Sequence, residues 1–544
     1  MKMNNWWKEA CVYQIYPASF NDTTGSGKGD LQGIIEKLDY LSLLGIDVIW
    51  LSPVYASPMA DNGYDISDYY SINPMFGTME DMDQLIKTAK NKNIKIIMDL
   101  VVNHTSDQHP WFKEALADKT SPYRDYYIWR ENKGALPNDL DSIFGGPAWT
   151  LDEKTNAYYM HLFAKEQPDL NWDNPQMRQD VYKMMNWWLD KGIAGFRMDV
   201  IDLIGKVPDE KVTDNGPKLH TYIQEMNQAT FNSKNVLTVG ECWGANLDNA
   251  GLYSNPDGSE LSMVFQFHHI KLRWKDGNKW DTVPLNLKEF KSVISEWQVG
   301  LQGKGWNSLF LGNHDLPRSV SYWGDDGHYR KKSAKMLATL LHGLQGTPFI
   351  YQGEELGMTN VGFEKLDQYR DIESINFYDI ARSQGVSHES ALKSMQKIGR
   401  DNARTPMQWT DENYGGFSTN TPWIDVNPNY TLINAKESMA DDDSIFHHYK
   451  KLIALRKKHK VFVEGQFKML FENEDPIFAY TRSLKDQTLV CINNYSNVEH
   501  TLNIKDVLPI DKKAFQVLVH NYDTLNLQGD VLNLQAYESV LILM

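Results

Sequence analysis

The stretch NPQMRQDVYKMMNWWLDKGIAGFRMDVI, residues 174–201, decides the fold. Its first part, Asn174–Asp190, carries apolar residues at the helical period, and its end, Gly195–Ile201, is a short apolar run of strand character. A helix leading straight into a strand is the crossover unit of a parallel sheet. Within the strand, side chains alternate, so Arg197 and Asp199 point the same way, and the guanidinium is expected to hold the aspartate ionised.

Working outward, the same unit recurs. Strand candidates are Val12–Tyr16, Val48–Val54, Ile94–Val102, Gly195–Ile201, Leu237–Gly240, Met263–Phe267, Ser308–Leu311 and Pro348–Tyr351, with helix-period segments at Asp30–Leu44, Met79–Lys92, Asn174–Asp190 and Arg330–Gln345. Eight such strands predict an α/β fold, a (β/α)8 TIM barrel formed by residues 1–103 and 173–472. About ninety residues separate the third and fourth strands, too many for a simple crossover, so residues 104–172 are expected to form an inserted domain after strand 3. Short alternating strands at Ile477–Thr481, Thr488–Asn493, Ala514–Val519 and Ser539–Met544 predict a C-terminal antiparallel β-sandwich over residues 473–544.

Composition removes several classes of function. The 544 residues carry a net charge of −16 with no Lys/Arg block, which argues against a nucleic-acid partner. Cys11, Cys242 and Cys491 are too scattered for a disulfide framework or a zinc site. No run of about 18 apolar residues and no signal-peptide core occurs, so no membrane association, a cytoplasmic location and no obligatory protein partner are expected.

The chemistry gathers where the strands stop, at the face that carries barrel active sites. Strand three ends Asp99-Leu-Val-Val-Asn103-His104, strand four Gly195-Phe-Arg197-Met-Asp199, strand five Gly240-Glu241, strand seven Asn313-His314-Asp315, and strand eight Gln352-Gly353-Glu354-Glu355. Converging carboxylates suit glycoside hydrolysis, which needs one protonated acid to release the leaving alcohol and one ionised carboxylate to attack the sugar. Asp199, Glu241 and Asp315 can supply these roles.

At these motifs the chain resembles the α-amylase family of glycoside hydrolases. Through Gln167-Pro-Asp-Leu-Asn-Trp172 and Gly399-Arg400-Asp401-Asn-Ala-Arg404-Thr-Pro-Met-Gln-Trp409 it is similar to the branch of oligo-1,6-glucosidases and glucan 1,6-α-glucosidases (dextran glucosidases). The resemblance implies a retaining, exo-acting α-glucosidase of isomalto-oligosaccharides, with Asp199 as nucleophile, Glu241 as acid/base and Asp315 as transition-state stabiliser. It implies a non-reducing glucose held by Tyr64, Asp65, His104, Gln167, Arg197, His314 and Arg400, with Arg404 structural. Trp243, Lys275 and Glu373 would meet the leaving sugar. Val200, after the nucleophile, is the residue typical of α-1,6-acting members, where α-1,4-acting ones carry Thr.

Trehalose-6-phosphate hydrolases share Val at that position and resemble this chain at Asp22-Thr-Thr-Gly25, Phe267-His-His269 and Tyr369-Arg-Asp371. They usually carry a longer insertion after the fourth strand and Met-Ser-Ser where this chain has Cys242-Trp243. Sucrose isomerases and α-1,4-glucosidases share the triad; related transporter heavy chains have an anchor and lack the full set. In calcium-binding relatives the first loop reads Asp-x-Asn-x-Asp-Gly-Ile-Gly-Asp. Here it is Asp22-Thr-Thr24-Gly-Ser26-Gly-Lys28-Gly-Asp30, so a structural calcium on Asp22 and Asp30 is not expected and no cofactor is required.

Overall fold

Eight short strands buried on both faces, β1 (Val12–Ile15), β2 (Val48–Leu51), β3 (Lys95–Leu100), β4 (Gly195–Met198), β5 (Leu237–Glu241), β6 (Met263–Phe265), β7 (Ser308–Leu309) and β8 (Thr347–Tyr351), pair in parallel. Their order is β6-β5-β4-β3-β2-β1-β8-β7, and a parallel bridge between Val264 and Asn307 joins β6 to β7 and closes the ring. The expected (β/α)8 barrel is therefore present. The computed structural model describes residues 5–505 and 515–544.

The helix feeding β4 shows how the chain enforces this. Asn174 caps it by accepting from the Gln176 and Met177 N–H groups, Pro175 opens it, and its apolar stripe, including Met177, Val181, Met185 and Trp188, is buried. Gly192 then ends it in the left-handed conformation, φ 103°. β4 opens on Gly195 because a Cβ there would lie 1.7 Å from the Leu237 carbonyl oxygen of β5. Registers pair Asp99 with Arg197 and Arg197 with Val239, so charged groups from β3, β4 and β5 share the top of the barrel.

Between β3 and β4 the chain forms a helix, Pro110–Ala117, and a three-stranded antiparallel sheet of Trp129–Glu131, Ala157–Met160 and Trp149–Asp152. This segment has its own small core of Ile128, Ala148, Trp149, Met160 and Leu162, which also takes in Val200 and Leu203 from the barrel. His104 and Asp169 pair where it leaves and rejoins. Beneath that junction the buried Lys206 ammonium sits 2.6 Å from Asn103 Oδ1 and 3.0 Å from Asp169 Oδ2.

The C-terminal region has a five-stranded antiparallel sheet, in the order Gln466–Leu470, Ile477–Leu484, Gln487–Asn494, Ser539–Leu543, Gln516–His520, and a three-stranded one of His500–Asn503, Val531–Leu534 and Asn526–Gln528. Side chains from both, among them Ile477, Ile492, Leu502, Leu532 and Val540, form one cluster, the interior of a sandwich. Its first strand begins at Gln466, ahead of residue 473, and Ala514 lies outside the described residues. Arg482 reaches from this sheet to the carbonyls of Gly343, Phe462 and Gly465, fastening it to the barrel.

Candidate active site

The strand ends open into a cavity of about 550 Å³, a size suited to a small ligand. At its base Arg197, 1% exposed, serves three carboxylates at once. Nη1 donates to Asp99 Oδ1 (2.5 Å) and Asp199 Oδ1 (2.7 Å), and Nη2 to Glu241 Oε2 (2.5 Å). Asp199 and Glu241 thus lie within the span of a single guanidinium. Glu241 also accepts from the Trp243 indole N–H at Oε1 (3.0 Å) and the Val200 N–H at Oε2 (3.2 Å). Val200 makes that contact from the left-handed region, φ 36°, a strain of roughly 1–3 kcal/mol for a β-branched residue.

One cation cannot neutralise three buried anions. Burial pushes the Asp199 carboxyl well above its ordinary range; Arg197 opposes this, and the nearby Glu241 and Asp99 add to it. Asp99 is pushed up to about 6, again chiefly by burial. Arg197 favours the ionised form of Asp199, as the strand pattern leads one to expect, but it works against burial and shares its charge with Asp99 and Glu241.

Across the cavity the balance is reversed. Asp315 Oδ1 accepts from Arg404 Nη2 (2.9 Å) and Arg400 Nη1 (3.2 Å), while its Oδ2 lies 3.2 Å from His314 Nε2. Burial opposes ionisation of Asp315, yet the Arg400 and Arg404 guanidiniums hold it far below the carboxylate range. Arg400 is in turn fixed by Asp371 (2.5 Å), Glu373 (3.3 Å) and Asp61 (3.4 Å). Burial, reinforced by nearby arginines, lowers His314 to about 3, so its ring is neutral. Its Nε2 meets the Tyr64 hydroxyl at 2.7 Å, and the two rings stack with centroids 5.3 Å apart.

Of the residues singled out from the sequence, Tyr64, His104, Asp199, Val200, Glu241, Trp243, Asp315, Glu373 and Arg400 line this cavity. Arg197 and His314 lie directly beneath it. Gln167 is set behind the wall, where its amide nitrogen reaches Asp61 Oδ2 (3.1 Å) and His104 Nε2 (3.1 Å).

Two assignments shift by one helical turn's worth of sequence. Asp65 turns into its own loop, accepting from the Ala60 and Asp61 N–H groups and the Ser57 hydroxyl, and Asp61 faces the cavity instead. Burial pushes Asp61 up to about 7 despite Arg400 and Arg404. Lys275 is exposed and pairs with Asp281 on the hairpin of Trp274–Lys275 and Asn278–Thr282. Lys279, on the second strand, holds both Glu373 oxygens at 2.7 and 2.8 Å. The sequence reading also missed Phe144 and Phe163 from the inserted segment and Trp274 and Trp280 from the hairpin, since none belongs to a strand-end motif.

In the first loop, Asp22 Oδ1 accepts from the N–H groups of Thr24, Gly25 and Ser26, and Oδ2 from Gly27 N–H and the Ser418 hydroxyl. Asp30 accepts from Thr23 and caps the next helix at Gly33 N–H. These donors occupy both oxygens of each carboxylate. Among the described residues Lys28 forms no ion pair with either aspartate.

The model of the α-amylase catalytic domain matches residues 14–465, and that of the α-amylase SusG C-terminal domain matches residues 477–541. A glucan 1,6-α-glucosidase of Streptococcus pneumoniae is 57% identical over 95% of each chain. An oligo-1,6-glucosidase of Halalkalibacterium halodurans is 54% identical over 90% of each. The crystal structure of a trehalose-6-phosphate hydrolase of Bacillus licheniformis superposes with a TM-score of 0.94 at 47% identity, covering 99% of this chain and 100% of that one.

Proposed function

The chain belongs to the α-amylase family of glycoside hydrolases, and from that premise we propose that it is a retaining α-glucosidase releasing glucose from the non-reducing ends of short α-1,6-linked glucans. The observation that carries the mechanism is the single guanidinium of Arg197 bridging Asp199 and Glu241. Carboxyls that close suit a covalent glycosyl intermediate, whereas inversion needs room for a water between them.

In this reading Asp199 attacks the anomeric carbon while Glu241 protonates the departing oxygen; Glu241 then takes a proton from the water that attacks the glycosyl ester. Asp315, kept anionic by two arginines, faces the positive charge that develops on the sugar ring. Tyr64 and Asp61, with His104, receive the terminal glucose, Arg400 fixes its far side, and Trp243 offers the leaving sugar an aromatic wall. The enzyme needs no metal, which the filled oxygens of Asp22 and Asp30 support.

The α-1,6 preference is supported by the two glucosidase relatives and by Val200. Hydrolysis of a phosphorylated disaccharide, the activity named for the superposed structure, is disfavoured by the cavity's cations: Lys279 is taken by Glu373, and Arg400 by Asp371, Asp61, Asp315 and Glu373. Among the described residues no helix is long and apolar enough to cross a membrane.

Glucose release from isomaltose, panose, maltose, trehalose and trehalose 6-phosphate, with D199N as control, tests this. Isomaltose or panose turnover that yields α-glucose first and vanishes in D199N is expected. Turnover of trehalose 6-phosphate alone would overturn the substrate assignment, and β-glucose as first product would overturn retention.

A further inference from the structure

We propose that Asp202 is a positioning residue for the acid/base, acting on Glu241 through the turn that carries Trp243; this rests on the reading of Glu241 given above. Asp202 borders the cavity from the loop after β4, is fully buried, and uses one oxygen only. Its Oδ2 accepts the Gly244 N–H at 2.9 Å, while Oδ1 has no protein partner. Gly244 directly follows Trp243, whose indole N–H holds Glu241 Oε1.

The rest of that turn is clamped on the same side. Asn215 N–H donates to the Asp202 carbonyl (3.0 Å), and Asn215 Nδ2 donates to the Gly244 carbonyl (3.1 Å). A Cβ on Gly244 would lie 2.2 Å from Asn215 Nδ2 and would displace the amide that holds the Gly244 carbonyl. Lys271 Nζ holds the Trp243 carbonyl (3.0 Å), and Phe267 lies flat against the Trp243 ring at 3.7 Å. Asp202 is the acidic member of this clamp. The ionisable groups facing it are Asp214, Glu241, Cys242, Tyr253 and Lys271. Burial pushes it up to about 7; the Gly244 N–H opposes this, and Asp214 and Glu241 add to it.

A residue that aims a general acid matters most when the leaving group needs a proton. Isomaltose leaves as an alkoxide without one, whereas 4-nitrophenyl α-glucoside releases a stable phenolate. D202A is expected to lower kcat/KM on isomaltose roughly 30-fold and on the nitrophenyl glucoside less than about 3-fold. D202N retains an oxygen for Gly244 N–H, so both values stay within about 3-fold.

Equal losses on both substrates in D202A, or a D202N loss on isomaltose as large as that of D202A, would overturn the proposal; if D202A does not fold, D202S, which shortens the acceptor for Gly244 N–H, carries the same comparison of substrates. E241Q separates the two levels of inference. If E241Q loses both substrates equally, the acid/base reading falls; if E241Q is selective for isomaltose and D202A is not, only the role of Asp202 falls.

Discussion

Around Arg197 one guanidinium serves Asp99, Asp199 and Glu241, whereas around Asp315 two guanidiniums, Arg400 and Arg404, converge on the carboxyl with the His314 ring beside them. Both clusters use the same residue types, the first buried and the second with the Asp315 side chain 23% exposed to the cavity. Asp199 is nevertheless pushed up and Asp315 pulled down: two guanidiniums converge on the Asp315 carboxyl, whereas Asp199 meets one that also serves Asp99 and Glu241. Proton-transfer chemistry and fixed negative charge can thus stand side by side in one cavity, set by how many guanidiniums each carboxyl meets rather than by residue identity.

The strongest way to break this contrast is to remove a reacting group. D199N should lower kcat on isomaltose by roughly 10⁴-fold or more with no change in fold by circular dichroism. A residual rate within tenfold of wild type would show that the Arg197 cluster is not the reacting one.

Converting the second cluster toward the first is the next largest effect. R404M leaves Asp315 with one arginine, and kcat on isomaltose is expected to fall about 100-fold. A kcat within about threefold of wild type would mean that the Arg404 charge does not act through Asp315.

The reverse conversion sharpens the comparison. In D99N the guanidinium is shared by two carboxylates, and the amide oxygen can still accept from Trp50 Nε1 and the Tyr64 hydroxyl. Asp99 raises Asp199, so removing its charge lowers the nucleophile's pKa. The acid limb of kcat/KM should therefore move to lower pH by about half a unit to one unit, with kcat down about tenfold. D371N, at the other cluster, should leave that limb in place.

The smallest effect concerns the first loop: prolonged EDTA treatment should leave Tm and isomaltose turnover unchanged within error. A fall in Tm reversed by calcium would show that the loop binds metal despite its filled oxygens.

The barrel and the inner charge clusters were legible because period two on a strand fixes which side chains share a face: Arg197 and Asp199 had to point together. That rule stops where strands stop. Asp61 and Asp65 sit in one irregular loop, and the choice between them is made by N–H groups of Ala60 and Asp61 that turn Asp65 inward. Lys275 and Lys279 fall on opposite arms of a hairpin whose register slips between Trp274 and Lys275, so counting along the chain misplaces them. Phe144 and Phe163 come from a segment with no repeating pattern, brought over the cavity only by tertiary packing.

The ring closure also constrains how the molecule is made. β1 pairs with β8, Val12 beside Phe349, and the Tyr13 hydroxyl bonds Glu355. At about 5–20 residues per second, roughly 20 to 70 s of synthesis separate the emergence of these two edges. Throughout that interval β1 has one side without its neighbour, an open template for strand addition. The nascent chain is therefore most vulnerable to aggregation before its last barrel strand exists, and a pause placed ahead of Thr347 would cost more soluble enzyme than an equal pause in the C-terminal sandwich.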